Sequence, residues 1–246
     1  MLLTNRVALV TGAGSGIGRA VARAYAREGA FVILLGRRQK PLTETYDLIH
    51  GEGGEATIAP LDLESQLNRV AELAEGIYRR FGRLDILVNN AGELGTLTPL
   101  ASFEPMMWEK VFRINLTAPF FLTRELMPLL RQAEAASVIQ VVSGLAFHGR
   151  AYWGAYAASK AALANLTESW AQELAHSTIR MNTVNPGSTA TTMRAKAFPG
   201  EDPATLPTAD AITPLFLYLA SQQSQGVTGK HFNARDWKEH PASQST

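Results

Sequence analysis

The sequence contains no cysteine. Disulfides, thiolate nucleophiles and cysteine-ligated metals are thereby excluded, and no metal site is read from the chain. No apolar stretch approaches the ~20 residues a helix needs to cross a bilayer. The N-terminal run MLLTNRVALVTG lacks a basic segment followed by a long apolar one, so no signal peptide is read there and a soluble cytoplasmic protein is expected. Neither sign of charge is in excess: 23 Lys and Arg stand against 22 Asp and Glu, a formal net charge of +1. That balance leaves no electrostatic footprint for nucleic acid or an anionic membrane, so any affinity for phosphate must be local. Neither a Pro-, Gly- or Ser-rich linker nor an internal repeat divides the 246 residues, which reads as one domain over 1–246 with a polar tail from about 236.

What is present is a sizeable core, with 46% of residues hydrophobic, and a regular alternation of elements. Short β-branched runs at Arg6–Val10, Phe31–Leu35, Ala56–Leu61, Leu84–Val88, Val138–Val142 and Ile179–Val184 read as strands, with a last short one around 229–233. Between them, helical periodicity covers Gly16–Glu28, a segment with Pro41 in its first turn, and stretches near 65–81, 104–132, 154–176 and 208–221. Repeated β-α-β units with apolar strands predict a parallel sheet covered on both faces. Right-handed crossovers make it a doubly wound α/β sheet of about seven strands.

The first strand runs into Thr11-Gly12-Ala13-Gly14-Ser15-Gly16-Ile17-Gly18. Glycines there allow a tight turn and close approach of backbone to a pyrophosphate, and the following helix offers free N–H groups to the anion. A strand-to-helix turn also uses glycine for steric reasons alone. The second strand ends at Gly36-Arg37-Arg38, where many dinucleotide folds carry an acid for the ribose hydroxyls. A guanidinium at Arg37 suits a 2′-phosphate instead, which favours NADP(H) over NAD(H). Asp62 could accept from an adenine amino group or cap a helix near Leu63–Gln66. Asn89-Asn90-Ala91-Gly92, at the end of the fourth strand, is small enough for a cofactor to lie against it.

Tyr156 and Lys160 are spaced i, i+4 and share one face of a helix. A nearby ammonium favours a phenolate, which would suit the phenol for proton transfer near neutral pH. Ser143, at the end of the fifth strand, can donate to the same substrate oxygen. Asn115, polar amid apolar neighbours in FRINLTAPF, is either a core amide that bends a helix or the holder of a water linking Lys160 to solvent.

Taken together, Gly12/Gly16/Gly18, Asn89–Gly92, Asn115, Ser143, Tyr156/Lys160 and Pro186-Gly187 resemble the short-chain dehydrogenases/reductases over residues 5–233. The runs GRAYWGAYAASK and RMNTVNPGSTATTMRAKAFPGEDP resemble a bacterial subgroup, the YciK-type oxidoreductases. The resemblance implies a Rossmann-like fold and a catalytic set of Asn115, Ser143, Tyr156 and Lys160. It implies cofactor contacts from Gly12, Ser15, Gly16, Ile17 and Gly18 in the first turn, and from Arg37, Asp62, Leu63, Asn89, Ala91 and Gly92 at the following strand ends. Tyr156, Lys160, Pro186, Gly187, Thr189 and Thr191 would complete that set near the nicotinamide. The expected partners are a small-molecule carbonyl or alcohol substrate and other copies of the chain, as a homodimer or homotetramer. A ketoacyl-carrier-protein reductase and a non-catalytic NADP-sensing regulator are the competing readings. Relative to the family, the stretch after Pro186 is short for a substrate lid, and the last strand reads GKHFNARDW without the usual Asp-Gly-Gly ending. Leu94, Leu145, Phe147, Trp153, Met193 and Phe198 are the candidate walls of the substrate cavity.

Overall fold

The computed structural model describes residues 1–238. Seven strands form one sheet: β1 (Val7–Thr11), β2 (Phe31–Gly36), β3 (Glu55–Pro60), β4 (Ile86–Asn89), β5 (Ala136–Val141), β6 (Ile179–Asn185) and β7 (His231–Asn233). They lie in the order β3-β2-β1-β4-β5-β6-β7, every pair parallel. The chain winds outward from β1 to β3, then returns to place β4 on the other side of β1. Between β1 and β4 the winding direction reverses, and a crevice opens there at the carboxyl ends of the strands.

Both faces of the sheet are buried, and the two-residue period of a strand sorts its side chains between them. Ala8 and Val10 pack with α1 (Gly16–Arg27) and α2 (Gln39–Gly51), while Val7 and Leu9 pack on the other side. That other side is covered by α3 (Val70–Phe81), α5 (Ala118–Leu130) and α6 (Gly154–Glu173), with α4 (Pro105–Phe112) preceding α5. A short α7 (Thr192–Ala197) follows β6, and α8 (Thr213–Ala220) joins α1 and α2 on the first face. Arg180, buried in β6, donates to the carbonyls of Leu219, Ser221 and Ser224 at 3.0–3.1 Å and so ties down the carboxyl end of α8. No helix among the described residues is long and apolar enough to cross a membrane.

Three expectations need correction. The segment near 104–132 is not one helix: a turn of π-helix, Arg113–Thr117, separates α4 from α5. The helix near 208–221 is α8 preceded by a short 3-10 turn at Asp210–Ile212. The tail does not begin at 236: Trp237 packs on Tyr218 with ring centroids 5.5 Å apart, and its N–H donates to Asn233 at 3.1 Å. A large apolar ring outweighs the polarity of its neighbours. The rest of the expected tail, from 239, lies outside the described residues.

Candidate active site

The glycine-rich turn is held from two sides. Gly12 has φ +67°, and a Cβ there would come 3.0 Å from Asn90 Nδ2. A Cβ on Gly18 would lie 2.3 Å from the Gly12 carbonyl oxygen, so α1 can start this close to β1 only with glycine at that position. Asn90 Nδ2 donates to the Thr11 carbonyl at 2.9 Å, and the Thr11 hydroxyl accepts from the Asn90 and Ala91 N–H groups, both at 2.9 Å. From the other side Arg19 donates to the Gly14 carbonyl at 2.6 Å and to Thr45 at 3.0 Å. The turn is thus a fixed part of the scaffold, with α1 presenting its first N–H groups to the crevice and Ser15 at its N-cap.

Two adjoining cavities occupy the crevice. The first is lined by Gly12, Ser15, Arg37, Asp62, Leu63, Ala91 and Gly92, together with Gly36 and Arg38. Among the described residues neither Arg37 nor Arg38 has an ion-pair partner, and both are exposed. The Asp62 carboxylate accepts from the Glu64 N–H at 3.0 Å and the Ser65 hydroxyl at 2.9 Å. It organises a turn ahead of the 3-10 segment Leu67–Arg69 while still facing the cavity. The second cavity is lined by Ile17, Ser143, Tyr156, Pro186, Gly187, Thr189 and Thr191, and by the apolar Leu94, Leu145, Trp153 and Met193. Phe198, one of the expected walls, stacks behind Trp153 at 5.6 Å. Phe147 turns away onto His231, 4.2 Å between rings.

Ser15 lines the first cavity and Ile17 the second; between them Gly16 packs against Thr191, where a Cβ would lie 3.3 Å from Thr191 Cγ2. Thr191 itself caps α7, accepting from the Arg194 N–H at 3.2 Å. Gly187 has φ +69°, a backbone conformation that L side chains rarely adopt, which accounts for glycine after Pro186. Gly16 and Gly18 shape the turn without lining either cavity.

Asn89 departs from its expected place. It shares its strand face with Leu87, on the α3/α5/α6 side, so its buried side chain points away from the crevice and donates to Thr123 at 3.2 Å. The next residue, Asn90, takes the opposite direction and braces the glycine-rich turn. Two adjacent amides read alike in sequence; the pleat separates their work.

Two polar side chains, Lys160 and Ser143, lie beside the Tyr156 ring and hydroxyl. Lys160 is buried, and its Nζ donates to the Val141 carbonyl at 2.7 Å while lying 5.9 Å from the centre of the Tyr156 ring. Burial pulls the Lys160 ammonium down to about 8. Burial also pushes the Tyr156 phenol up to about 12, against a smaller downward pull from a hydrogen bond with Ser143. The residue as a whole is half-buried, with part of its surface on the cavity. The expected lowering of the phenol by the ammonium is not what governs it: burial disfavours the charged form of each group and sets the direction of both shifts.

Asn115 lies in the π turn, fully buried. Its amide donates to the Glu93 carbonyl at 2.9 Å and to the Ser159 hydroxyl at 3.0 Å, and its oxygen accepts from the Glu93 N–H at 2.7 Å. Ser159 in turn donates to the Tyr156 carbonyl at 2.8 Å. The side chain thus ties the loop after β4 to the helix that carries Tyr156 and Lys160. Both of its donors are engaged in that tie. Thr11, Asn90 and Ser159 are the supporting residues the sequence reading left without a role, although all three stand inside the motifs it quoted.

The donor set fits a dinucleotide. A Cβ on Gly92 would lie 3.5 Å from Asn115 Oδ1 and 3.7 Å from Lys160 Nζ, so the absence of that carbon keeps space open above the lysine. Free guanidiniums stand at one end of the crevice and a tyrosine hydroxyl at the other, with the N-terminus of α1 between them.

Residues 6–202 match the family model of the short chain dehydrogenases. The uncharacterized oxidoreductase YciK of Escherichia coli K12 is 42% identical over 99% of this chain and 97% of its own. The 3-oxoacyl-[acyl-carrier-protein] reductase of Thermotoga maritima is 32% identical over 94% and 96%. Among solved structures, a short chain dehydrogenase of Shigella flexneri complexed with NADP superposes with a TM-score of 0.93 at 43% identity, covering 95% of this chain and 98% of that one. One from Escherichia coli CFT073 complexed with NADPH gives 0.92 at 42%, again covering 95% and 98%.

Proposed function

The chain belongs to the short chain dehydrogenase family, and we propose that it is an NADPH-dependent oxidoreductase acting on a carbonyl or alcohol, with Tyr156 as the acid/base. The observation that carries this reading is that Tyr156 and Ser143 line one cavity beside the glycine-rich crevice, with the buried Lys160 Nζ 5.9 Å from the Tyr156 ring centre. The first turn and the N–H groups of α1 would hold a pyrophosphate, and Arg37 with Arg38 a 2′-phosphate. Lys160, open to the space above Gly92, would bond a ribose hydroxyl. NADPH supplies hydride when bound.

In the reducing direction Tyr156 gives its proton to the substrate oxygen, and Ser143 donates a hydrogen bond to that same oxygen. A phenol held near 12 stays protonated across the neutral range, so it is ready as an acid. The phenolate it leaves behind is stabilised by the Lys160 ammonium below it. Asn115 acts as a positioning residue: through Glu93 and Ser159 it fixes the loop after β4 against α6. Since its side-chain donors are engaged, a relay water to Lys160 would rest on main-chain groups of the π turn, where the helical ladder is interrupted.

Tyr156→Phe tests the reading. It keeps the ring and removes the acid, so turnover of carbonyl compounds should fall to background while NADPH still binds with near-native affinity, measured by fluorescence titration. A variant retaining a substantial part of the wild-type rate would remove Tyr156 from the chemistry.

A further inference from the structure

Resting on that reading, we propose that the substrate is an apolar carbonyl compound that also carries an anionic group such as a carboxylate, and that Arg150 selects it. The cavity beside Tyr156 is lopsided in charge. No aspartate or glutamate lines it, whereas His148, Arg150 and Arg194 do, above walls that are mainly apolar.

The two arginines are not equivalent. Arg194 is already neutralised: it grips Glu201 with two bonds of 2.5 and 2.6 Å. Arg150 is exposed and, among the described residues, pairs with no carboxylate. Its guanidinium is nevertheless placed, lying 5.6 Å from the Trp153 ring centre and 5.2 Å from that of Phe198. Stacking on two rings orients the planar fork before any ligand arrives, so less freedom is lost when it binds one. Arg37 and Arg38 line the other cavity, so the cofactor's phosphates do not account for Arg150.

Trp153 links the cation to the chemistry. The same indole meets Tyr156 edge-on, with centroids 5.9 Å apart. A molecule whose carbonyl reaches the Tyr156 hydroxyl can therefore lay an apolar body along Trp153 and present an anion to Arg150. A neutral molecule of the same shape would fill the same walls and leave the guanidinium to water.

The test compares acids with their methyl esters. 4-Oxo-4-phenylbutanoate and 5-oxo-5-phenylpentanoate, each beside its ester, would be titrated calorimetrically into the NADP-loaded protein and its Arg150→Gln and Arg150→Lys variants, with thermal melts confirming that all are folded. One charge-assisted contact at an exposed site predicts a preference for at least one acid over its ester of about tenfold. The Gln variant should erase that ratio and the Lys variant should keep part of it, with the effect on NADPH-driven turnover appearing in KM rather than kcat. Equal affinity for acid and ester, a preference for the esters, no saturable binding of either acid, or an unchanged ratio in Arg150→Gln would each overturn the proposal. So would salt-sensitive capture of an acyl carrier protein that is lost in Arg150→Gln without discrimination among free acids, since it would assign Arg150 to a protein partner. Arg150→Gln is read on binding selectivity and Tyr156→Phe on turnover, so the selection by Arg150 and the chemistry of Tyr156 can fail independently.

Discussion

Replacing Lys160 by methionine should make the protein more stable at neutral pH while ending its activity. Lys160 is 3% exposed, and burial holds its ammonium at about 8 against an ordinary 10.5. At 1.36 kcal/mol per pKa unit, keeping that charge at pH 7 costs the fold about 3 kcal/mol. Methionine fills a similar volume without the charge, but it leaves the buried Val141 carbonyl without its 2.7 Å bond, a loss of about 1–3 kcal/mol. The net gain, at most about 2 kcal/mol, should raise Tm by up to roughly 4–8 °C in a chain of this size. The pH dependence gives the sharper signature. Because the folded-state pKa is the lower one, the unfolded chain holds a proton between about pH 8 and 10.5 that the folded chain has released. Wild-type stability therefore rises with pH through that window and carries its full penalty below it. The advantage of Lys160→Met should be constant below about pH 8 and shrink toward pH 10.5, while Tyr156, near 12, stays protonated throughout. Urea melts of both proteins at pH 7, 9 and 10, cofactor-free and at matched concentration, measure it. A variant less stable than wild type at pH 7, or a difference that does not move with pH, would refute the claim that a buried ammonium is maintained here at the expense of stability.

Three further outcomes are expected. Arg37→Asp should narrow or reverse a preference for NADPH over NADH. One exposed charge-assisted contact corresponds to about tenfold in affinity, and equal dissociation constants for the two cofactors in the wild type would remove Arg37 from this role. Gly18→Ala should weaken NADPH binding by more than Arg37→Asp does while leaving far-ultraviolet circular dichroism native-like, because the added carbon would lie 2.3 Å from the Gly12 carbonyl oxygen and must displace the turn rather than the sheet; unchanged cofactor affinity would show that the turn can yield. In light scattering at micromolar concentration the chain should run as a dimer or larger. Phe120 and Trp170 stack at 5.6 Å while half-buried on α5 and α6, and Met106 and Trp108 stand exposed on α4. A monomer mass would count against it.

The sheet was legible because its strands carry their own signal. A parallel strand covered on both faces tends to be a continuous apolar run, as β1, β2 and β4 are, whereas β5 and β6 carry Gln140, Arg180 and Asn182 within them and were read from their apolar and β-branched neighbours. The seventh, His231–Asn233, is short and polar at both ends; its placement came from position in the alternation rather than from composition. The long helices were legible in extent but not in form. Nothing in the periodicity of 104–132 marks the π turn at Arg113–Thr117, because α4 before it is only 8 residues long and fixes no stripe against which a one-residue shift would show. Trp237 was misread for a related reason: one ring in a polar decapeptide does not change its average, yet one ring is enough to dock on Tyr218.

At the site, residue types and order in the chain predicted which side chains would gather, but not what each would do once there. Lys160 and Tyr156 were placed together by helical spacing, yet the sign of the phenol's shift depends on how much water surrounds the pair, and spacing says nothing of that. Asn115 shows the same limit from another direction. A polar residue in an apolar helix segment could bend the helix or hold a water, and the sequence offered these as alternatives. In the structure it sits within the π turn and also joins two segments 22 and 44 positions away, the Glu93 backbone and Ser159. These distant partners explain its burial without strain: every strong donor on the amide is matched, so the group contributes order where an unpaired one would destabilise the core. The tie also gives a reason for the π turn. Advancing the register by one residue lets Asn115 face Glu93 and Ser159 while its apolar neighbours Ala118 and Leu122 remain packed in the core.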